Sequence, residues 1–318
     1  MDEKISETLT CAWAKGTLRT RNSQWHRYLS FCQDNNLVPF PADILTIARF
    51  LIFLSSTCKF STINNYLSAV IKLHEYYGFD QSFRDSYVIK LLLSGLKAQL
   101  GTQVMQKKYL SLEELSKMYS CVDKLDVNEI TLWSAIILTF RTMLRKSNIV
   151  PDSQSQEHVV RKKDITITDK GILVKISSSK TLKHKEKEIV IPVYFVKNPG
   201  FCAASLLLSH WARREVDEDD FLFSLYSKKE WKPVSYKHLL DFLKVLCKRI
   251  GLDPNLYGLH SLRRASASFF HDAGVSLSDI MMWGDWKSLC VFQYLVLPDE
   301  RKEKIESFIS SKLDAISF

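Results

Sequence analysis

The chain has 318 residues, of which 46% are hydrophobic and 25% charged, with only 10 Gly and 8 Pro. That composition excludes a low-complexity or collagen-like polymer, and the length allows two domains, each with a core of its own. The net charge is +9 and the sequence pI is about 9.1, which favours a polyanionic partner.

The seven cysteines are scattered, and no C-x-x-C pair occurs. Neither a zinc site nor a disulfide framework is expected, and a reducing compartment fits. The opening Met1-Asp2-Glu3-Lys4 leads into no apolar run, so no secretory signal is expected. The longest apolar runs are too short to span a bilayer.

Residues 13–100 predict helix almost throughout. Trp13, Leu18, Trp25, Tyr28, Leu29 and Phe31 recur at helical spacing, and Asn35-Asn36 ends that segment. Pro39 and Pro41 flank a break, and Pro41-Ala42-Asp43 opens a second helix through Leu45, Ile47, Phe50, Leu51 and Leu54. Ser61-Thr62-Ile63 starts a third, and a fourth runs over about residues 84–100. Four helices in so short a span make a compact bundle over residues 1–102. Lys15, Arg19, Arg21, Arg27, Lys59 and Lys72 are its candidate phosphate contacts. Each reads equally well as part of a solvated helix face. Residues 103–108, ending in Lys107 and Lys108, lack periodicity and read as a basic linker.

Residues 109–318 form the second unit. Ser111-Leu112-Glu113-Glu114 has the form of a capping box and starts a helix to about residue 122. Residues 128–142 read as a strongly apolar helix that delivers Leu144-Arg145-Lys146-Ser147-Asn148. The period then shortens to two. Residues 164–168, 171–176 and 188–193 predict three short antiparallel strands. Lys180, Lys183 and Lys185 lie between the last two strands. Residues 101–200 carry 17 Lys+Arg against 11 Asp+Glu, so the positive charge concentrates here. A helix over 201–214, an acidic solvated connector at 215–220, a short buried piece at 221–223 and an amphipathic helix over 236–250 follow. Beyond Pro298, residues 299–310 predict a last helix with Ile305, Phe308 and Ile309 as its apolar stripe.

The stretch from Gly258 to Tyr294 organises the rest. His260 and Arg263 are three residues apart, which puts both on one face of a helix. An imidazole and a guanidinium aimed at one point can clamp a phosphate oxygen. Gly284-Asp285-Trp286 and then Tyr294 follow, and a tyrosine beside such a clamp can attack phosphorus.

This ordered set, Gly-Leu-His-x-Leu-Arg, then Gly-Asp-Trp, then Tyr, resembles the active-site region of the tyrosine recombinase (phage integrase) family. The likeness covers nearly the whole chain. It implies a mainly α fold with a small antiparallel β-sheet in the C-terminal domain: a helical core-binding domain, then the catalytic domain. It implies catalytic roles for Arg145, Lys180, His260, Arg263, Trp286 and Tyr294. In the family the catalytic lysine lies on the hairpin, so Lys180 is the candidate, with Lys183 and Lys185 as rivals. Two departures stand out. Asn148 replaces the family's usual acidic residue, three positions after Arg145. Asp285 follows the glycine where relatives carry His or Trp. A carboxylate facing a phosphate would be repelled, so Trp286 is favoured for that slot.

Further expectations follow from the resemblance. Double-stranded DNA is the substrate, cleaved and rejoined through a 3′-phosphotyrosine without metal or other cofactor. The active assembly is a tetramer on DNA, with the C-terminal helix docked on a neighbour or on its own domain. Ser-Ser-Lys-Thr together with Gly-Asp-Trp-Lys-Ser looks most like the Crypton group of eukaryotic DNA transposons, with DIRS-like retroelement recombinases as the near alternative. That group implies a nuclear protein. A type IB topoisomerase and a domesticated, non-catalytic DNA-binding protein are the competing readings.

Overall fold

The computed structural model describes residues 4, 8, 12–13, 15–102, 107–151, 158–177, 188–286, 288, 291–292, 295, 303, 306–307 and 309–310. The chain divides into two compact units, Met1–Met105 and Gln106–Phe318. Both are mainly helical, and the second carries small antiparallel sheets.

The first unit holds helices α1 (Lys15–Asp34), α2 (Ile44–Ser55), α3 (Phe60–Tyr77) and α4 (Tyr87–Leu100). Asn36 follows α1 with a left-handed φ of 53°, a conformation its short polar side chain tolerates. Asp43 caps α2 by accepting the Thr46 N–H at 2.6 Å, and that bond holds its carboxyl below the usual range. α4 starts later than predicted because Ser82–Arg84 forms a separate 3-10 turn. Tyr28, Phe50, Leu51, Leu54, Ile63 and Phe83 are fully buried in this unit's core. Among them His74 donates Nδ1–H to Val70 O (2.9 Å) and accepts the Ala42 N–H at Nε2 (3.1 Å).

The second unit is built around α6 (Val127–Thr142). It is buried on nearly every side, so its sequence is apolar without a polar stripe. α5 (Leu112–Ser120) precedes it and begins in the capping box of Ser111 and Glu114. The short α7 (Lys146–Ile149) follows it. Strands β1 (Ile165–Thr168), β2 (Gly171–Ile176) and β3 (Ile189–Tyr194) form an antiparallel sheet in the order β1-β2-β3. Ile172, Val174 and Ile176 alternate into the core.

α8 (Ala203–Trp211) is shorter than predicted. The acidic stretch beyond it is solvated, as expected, and carries two surface ion pairs. Lys162 pairs with Glu218 at 3.0 Å, and Lys163 with Asp219 at 2.5 Å. An unanticipated hairpin comes next, β4 (Ser224–Ser227) with β5 (Glu230–Pro233). Its turn is Lys228-Lys229, both at positive φ (53° and 65°). Asn-Gly usually announces such a turn, and two lysines do not. α9 (Tyr236–Arg249) ends in Arg249, whose guanidinium forks onto Glu129 at 2.7 and 2.6 Å and ties α9 to the start of α6. α10 (Leu259–Asp272) and α11 (Leu277–Trp283) complete the described core. Of the predicted last helix, Glu303, Glu306, Ser307, Ile309 and Ser310 are helical. Ile305 and Phe308 lie outside the described residues.

Candidate active site

The end of α6 places Arg145. The last carbonyls of any helix lack intrahelical partners, and here side chains of α10 and α11 supply them. Ser266 Oγ donates to Phe140 O, Trp283 Nε1 to Arg141 O (3.3 Å), and Arg263 Nη1 to Met143 O. A cation also suits the negative end of a helix dipole. Met143 ends the helix in the left-handed region, at φ 52°. Glycine is usual at such a stop. Here a side chain is needed, because Met143 is buried in a small core with Ala267, Ile280, Trp286 and Val291. Two residues on, Arg145 sits at the N-cap of α7.

A second left-handed turn meets it. α11 closes in a Schellman motif, with the Trp286 N–H on Met281 O (2.9 Å) and the Asp285 N–H on Met282 O (3.3 Å). Asp285 takes the left-handed position, φ 52°. Gly284 has no room for a side chain, since a Cβ would stand 1.9 Å from the Trp286 ring. The Gly284 carbonyl accepts Arg263 Nη2. The Trp286 ring covers the same guanidinium, its centroid 3.8 Å from Cζ. Asp285 holds the other arginine: its Oδ2 accepts Arg145 Nη1 at 3.0 Å, and its main-chain carbonyl accepts Nη2 at 3.1 Å.

Arg145, Arg263, Trp286 and Asp285 are thus brought together, and the two arginines and Asp285 line a small pocket with Leu144, Asn148, Ile176, Ile189, Trp283 and Gly284. Arg263 is 3% exposed. His260 is exposed in the first turn of α10, one turn before Arg263. Asn148 is buried and donates from its amide nitrogen to His158 O at 2.9 Å, a bond an ionised carboxylate cannot make. The Asp285 carboxylate does not face the pocket unpaired, because Arg145 holds it. Sequence reasoning missed that pair. The available signal was an αL-tolerant residue directly after a glycine at a helix end.

Tyr294, Lys180, Lys183 and Lys185 lie outside the described residues, as does the Lys15 side chain. Their neighbours are placed. Ile176 and Ile189, the ends of the strands that flank the lysines, line the pocket. Leu295 packs on the Trp286 cluster. Tyr257, the other tyrosine of the motif region, is buried, hydrogen-bonded to Glu114, and pushed up to about 12 by that burial.

The remaining basic candidates differ. Arg19 and Lys59 are exposed. Arg21 stacks on Trp13, and Lys72 is paired with Glu75. Arg27 is engaged with Thr57 (3.1 Å) and Tyr66 (3.4 Å), and the Tyr66 bond raises its pKa further. The Lys107 ammonium bonds Asn255 O, and the Lys108 N–H bonds Leu256 O at 2.8 Å.

Residues 108–295 match the model of the phage integrase family. The chain belongs to that family. As a phage integrase family member it is a tyrosine recombinase, an enzyme of DNA strand cleavage and rejoining. No curated protein sequence matches it. Among solved structures it is similar to the Tn1549 transposon integrase in complex with transposon right end DNA (13% identity, TM-score 0.66, covering 96% of this chain and 98% of that one). It is also similar to a lambda integrase dimer bound to a COC′ core site (18%, 0.61, 92% and 93%). A third is the XerH site-specific recombinase bound to difH (18%, 0.57, 89% and 76%). At these identities the likeness establishes the fold. No helix among the described residues is long and apolar enough to cross a membrane.

Proposed function

We propose that this integrase family member cleaves and rejoins double-stranded DNA through Tyr294 and acts as the recombinase of a mobile element. One observation carries the reading: Arg145 and Arg263 converge on a pocket bounded by the ends of the lysine-bearing hairpin and by the cluster that Leu295 joins. Lys180 is four positions beyond Ile176, a reach of at most about 14 Å. Tyr294 is one peptide bond from Leu295.

The chemistry follows from these groups. Attack on a phosphodiester adds negative charge to the non-bridging oxygens. The two guanidiniums stay protonated and are fixed before DNA arrives, so they stabilise that charge without reorganising. His260 adds a donor or assists deprotonation of the tyrosine. The Tyr294 oxygen bonds to phosphorus as the bond to the 5′-oxygen breaks, and Lys180 protonates that leaving oxygen. A 3′-phosphotyrosine and a 5′-hydroxyl result. Attack by that hydroxyl, or by one from a partner strand, reverses the step, and the ester bond is conserved throughout.

The residues of the hairpin and of Gly284-Asp285-Trp286-Lys287-Ser288 support a Crypton-type transposon enzyme, working in the nucleus as a tetramer on DNA. Core-binding residues 1–102, linker 103–108 and catalytic residues 109–318 are the domains of this reading. A nicked suicide substrate tests it. The wild-type chain is expected to trap a covalent adduct and Tyr294→Phe none. Binding without an adduct in the wild type would instead mark a non-catalytic DNA-binding protein. Plasmid relaxation without site preference would mark a topoisomerase.

A further inference from the structure

The Arg145–Asp285 pair does something the proposed chemistry does not require. Asp285 occupies the left-handed stop of α11, a position that costs most L-residues roughly 1–2 kcal/mol but that Asp and Asn tolerate. The Schellman backbone turns the Asp285 carbonyl onto Arg145 Nη2 (3.1 Å) and leaves the carboxylate on Nη1 (3.0 Å). One residue therefore grips both terminal nitrogens from two directions. The pair is mostly buried, with side-chain exposures of 20% for Arg145 and 14% for Asp285. In such a place a charge-assisted bond is worth far more than at the surface.

We propose that Asp285 is the positioning residue for Arg145, fixing the plane of its guanidinium before DNA binds; the proposal rests on the reading of Arg145 as a phosphate ligand. The two bonds to Asp285 use two of a guanidinium's five N–H groups and together set its plane. The second arginine is treated alike: Met143 O and Gly284 O take its two terminal nitrogens, and Trp286 covers its face. Gly284, Asp285 and Trp286 are thus three consecutive residues that set both guanidiniums. The difference is charge. Arg263 is anchored by neutral carbonyls, whereas Arg145 is anchored by an anion that cancels its attraction for DNA at a distance. Asp285 consequently weakens binding while it improves the chemistry, and this combination separates positioning from a merely structural role.

The test is Asp285→Asn, which keeps size, backbone bond and turn tolerance but removes the charge. Single-turnover cleavage of the suicide substrate is expected to fall about 100-fold, the cost of misplacing a group by about 1 Å. DNA affinity should rise about threefold to tenfold, as expected for removing one screened negative charge near a phosphate. Asp285→Glu should recover part of the rate. Faster cleavage by the Asn variant would overturn the proposal, since Asp285 would then be an anion that blocks Arg145 until DNA displaces it. Equal loss of rate and affinity would reduce Asp285 to a folding residue. A measurement independent of catalysis covers the case in which the wild type forms no adduct. In arginine-labelled protein the two terminal nitrogens of Arg145, assigned by loss of signal in Arg145→Lys, should give separate resonances from slowed guanidinium rotation. They should merge in Asp285→Asn. Merged resonances in the wild type would sink the positioning role whatever the enzyme does.

Discussion

Trp286 lies face-on over Arg263, with 3.8 Å between ring centroid and guanidinium carbon, and both side chains are buried. Gly284, lacking a Cβ, makes the room. The ring also fills a core shared with Met143 and Ile280. Trp286→Leu keeps much of the apolar volume and loses the cation–π contact, about 2 kcal/mol in a desolvated site. Trp286→Ala loses both and should cost about 3–5 kcal/mol. Urea unfolding should rank wild type, Trp286→Phe, Trp286→Leu and Trp286→Ala in falling order. Similar stability for the Leu and Ala variants would show that the ring contributes little as packing.

Lys180 is assigned as the acid from the resemblance and from the position of its hairpin. A substrate whose 5′-bridging oxygen is replaced by sulfur removes the need for that acid, because a thiolate leaves unprotonated. Cleavage of this substrate by Lys180→Ala should approach the wild-type rate. Restored cleavage in Lys183→Ala or Lys185→Ala alone would move the role along the hairpin.

His210 makes stability pH-dependent. It is fully buried, donates from Nδ1 to the Thr131 hydroxyl (3.0 Å) and accepts the Ser224 N–H at Nε2 (3.2 Å), so it is held neutral. Burial, helped by the nearby Arg214 and Arg213, pushes its pKa down from 6.5 to about 4. As pH falls below 6.5 the unfolded chain takes up a proton that the folded chain refuses. Stability is therefore full above 6.5 and declines until about pH 4, by roughly 3 kcal/mol in all. Buried His74 shifts in the same direction in the first unit. Comparing denaturant midpoints at pH 7.5 and 4.5 for wild type and His210→Gln isolates the effect. The variant should lose less stability on acidification, and equal losses would remove His210 as the cause.

The terminal segment is proposed to join subunits. Ile309 is 44% exposed at a helical position, and a short helix does not hold an apolar stripe without something to pack on. Deletion after Leu297 should leave duplex binding nearly intact and abolish the tetrameric complex on two-site DNA. Truncated protein that still assembles tetramers in native gels would confine the segment to its own domain.

The sequence was most legible where one chemical rule acts locally. The capping box at Ser111 and Glu114, the Asp43 start of α2 and the alternation through Ile172 and Val174 are local signals, and each appears as read. The Lys228-Lys229 hairpin was not legible, because its left-handed turn is occupied by residues with no preference for it. The grip of Asp285 on Arg145 spans 140 residues and depends on a turn at the end of one helix meeting a turn at the end of another. No spacing rule encodes that. The Asn148 bond to His158 O was hidden for the same reason: the sequence showed a missing carboxylate, not the donor that takes its place.

Arg263 bridges Met143 and Gly284, and this has a genetic consequence. An Arg263→Ala allele leaves two buried carbonyls without donors, at about 1–3 kcal/mol each, and strips Trp286 of its partner. Such a protein should be scarce in the cell, and its allele recessive. A Tyr294→Phe protein should persist, occupy recombination sites and poison mixed assemblies, so its allele should be dominant over a co-expressed wild-type copy. The two alleles would score alike as loss of recombination, yet only one would interfere with its neighbours.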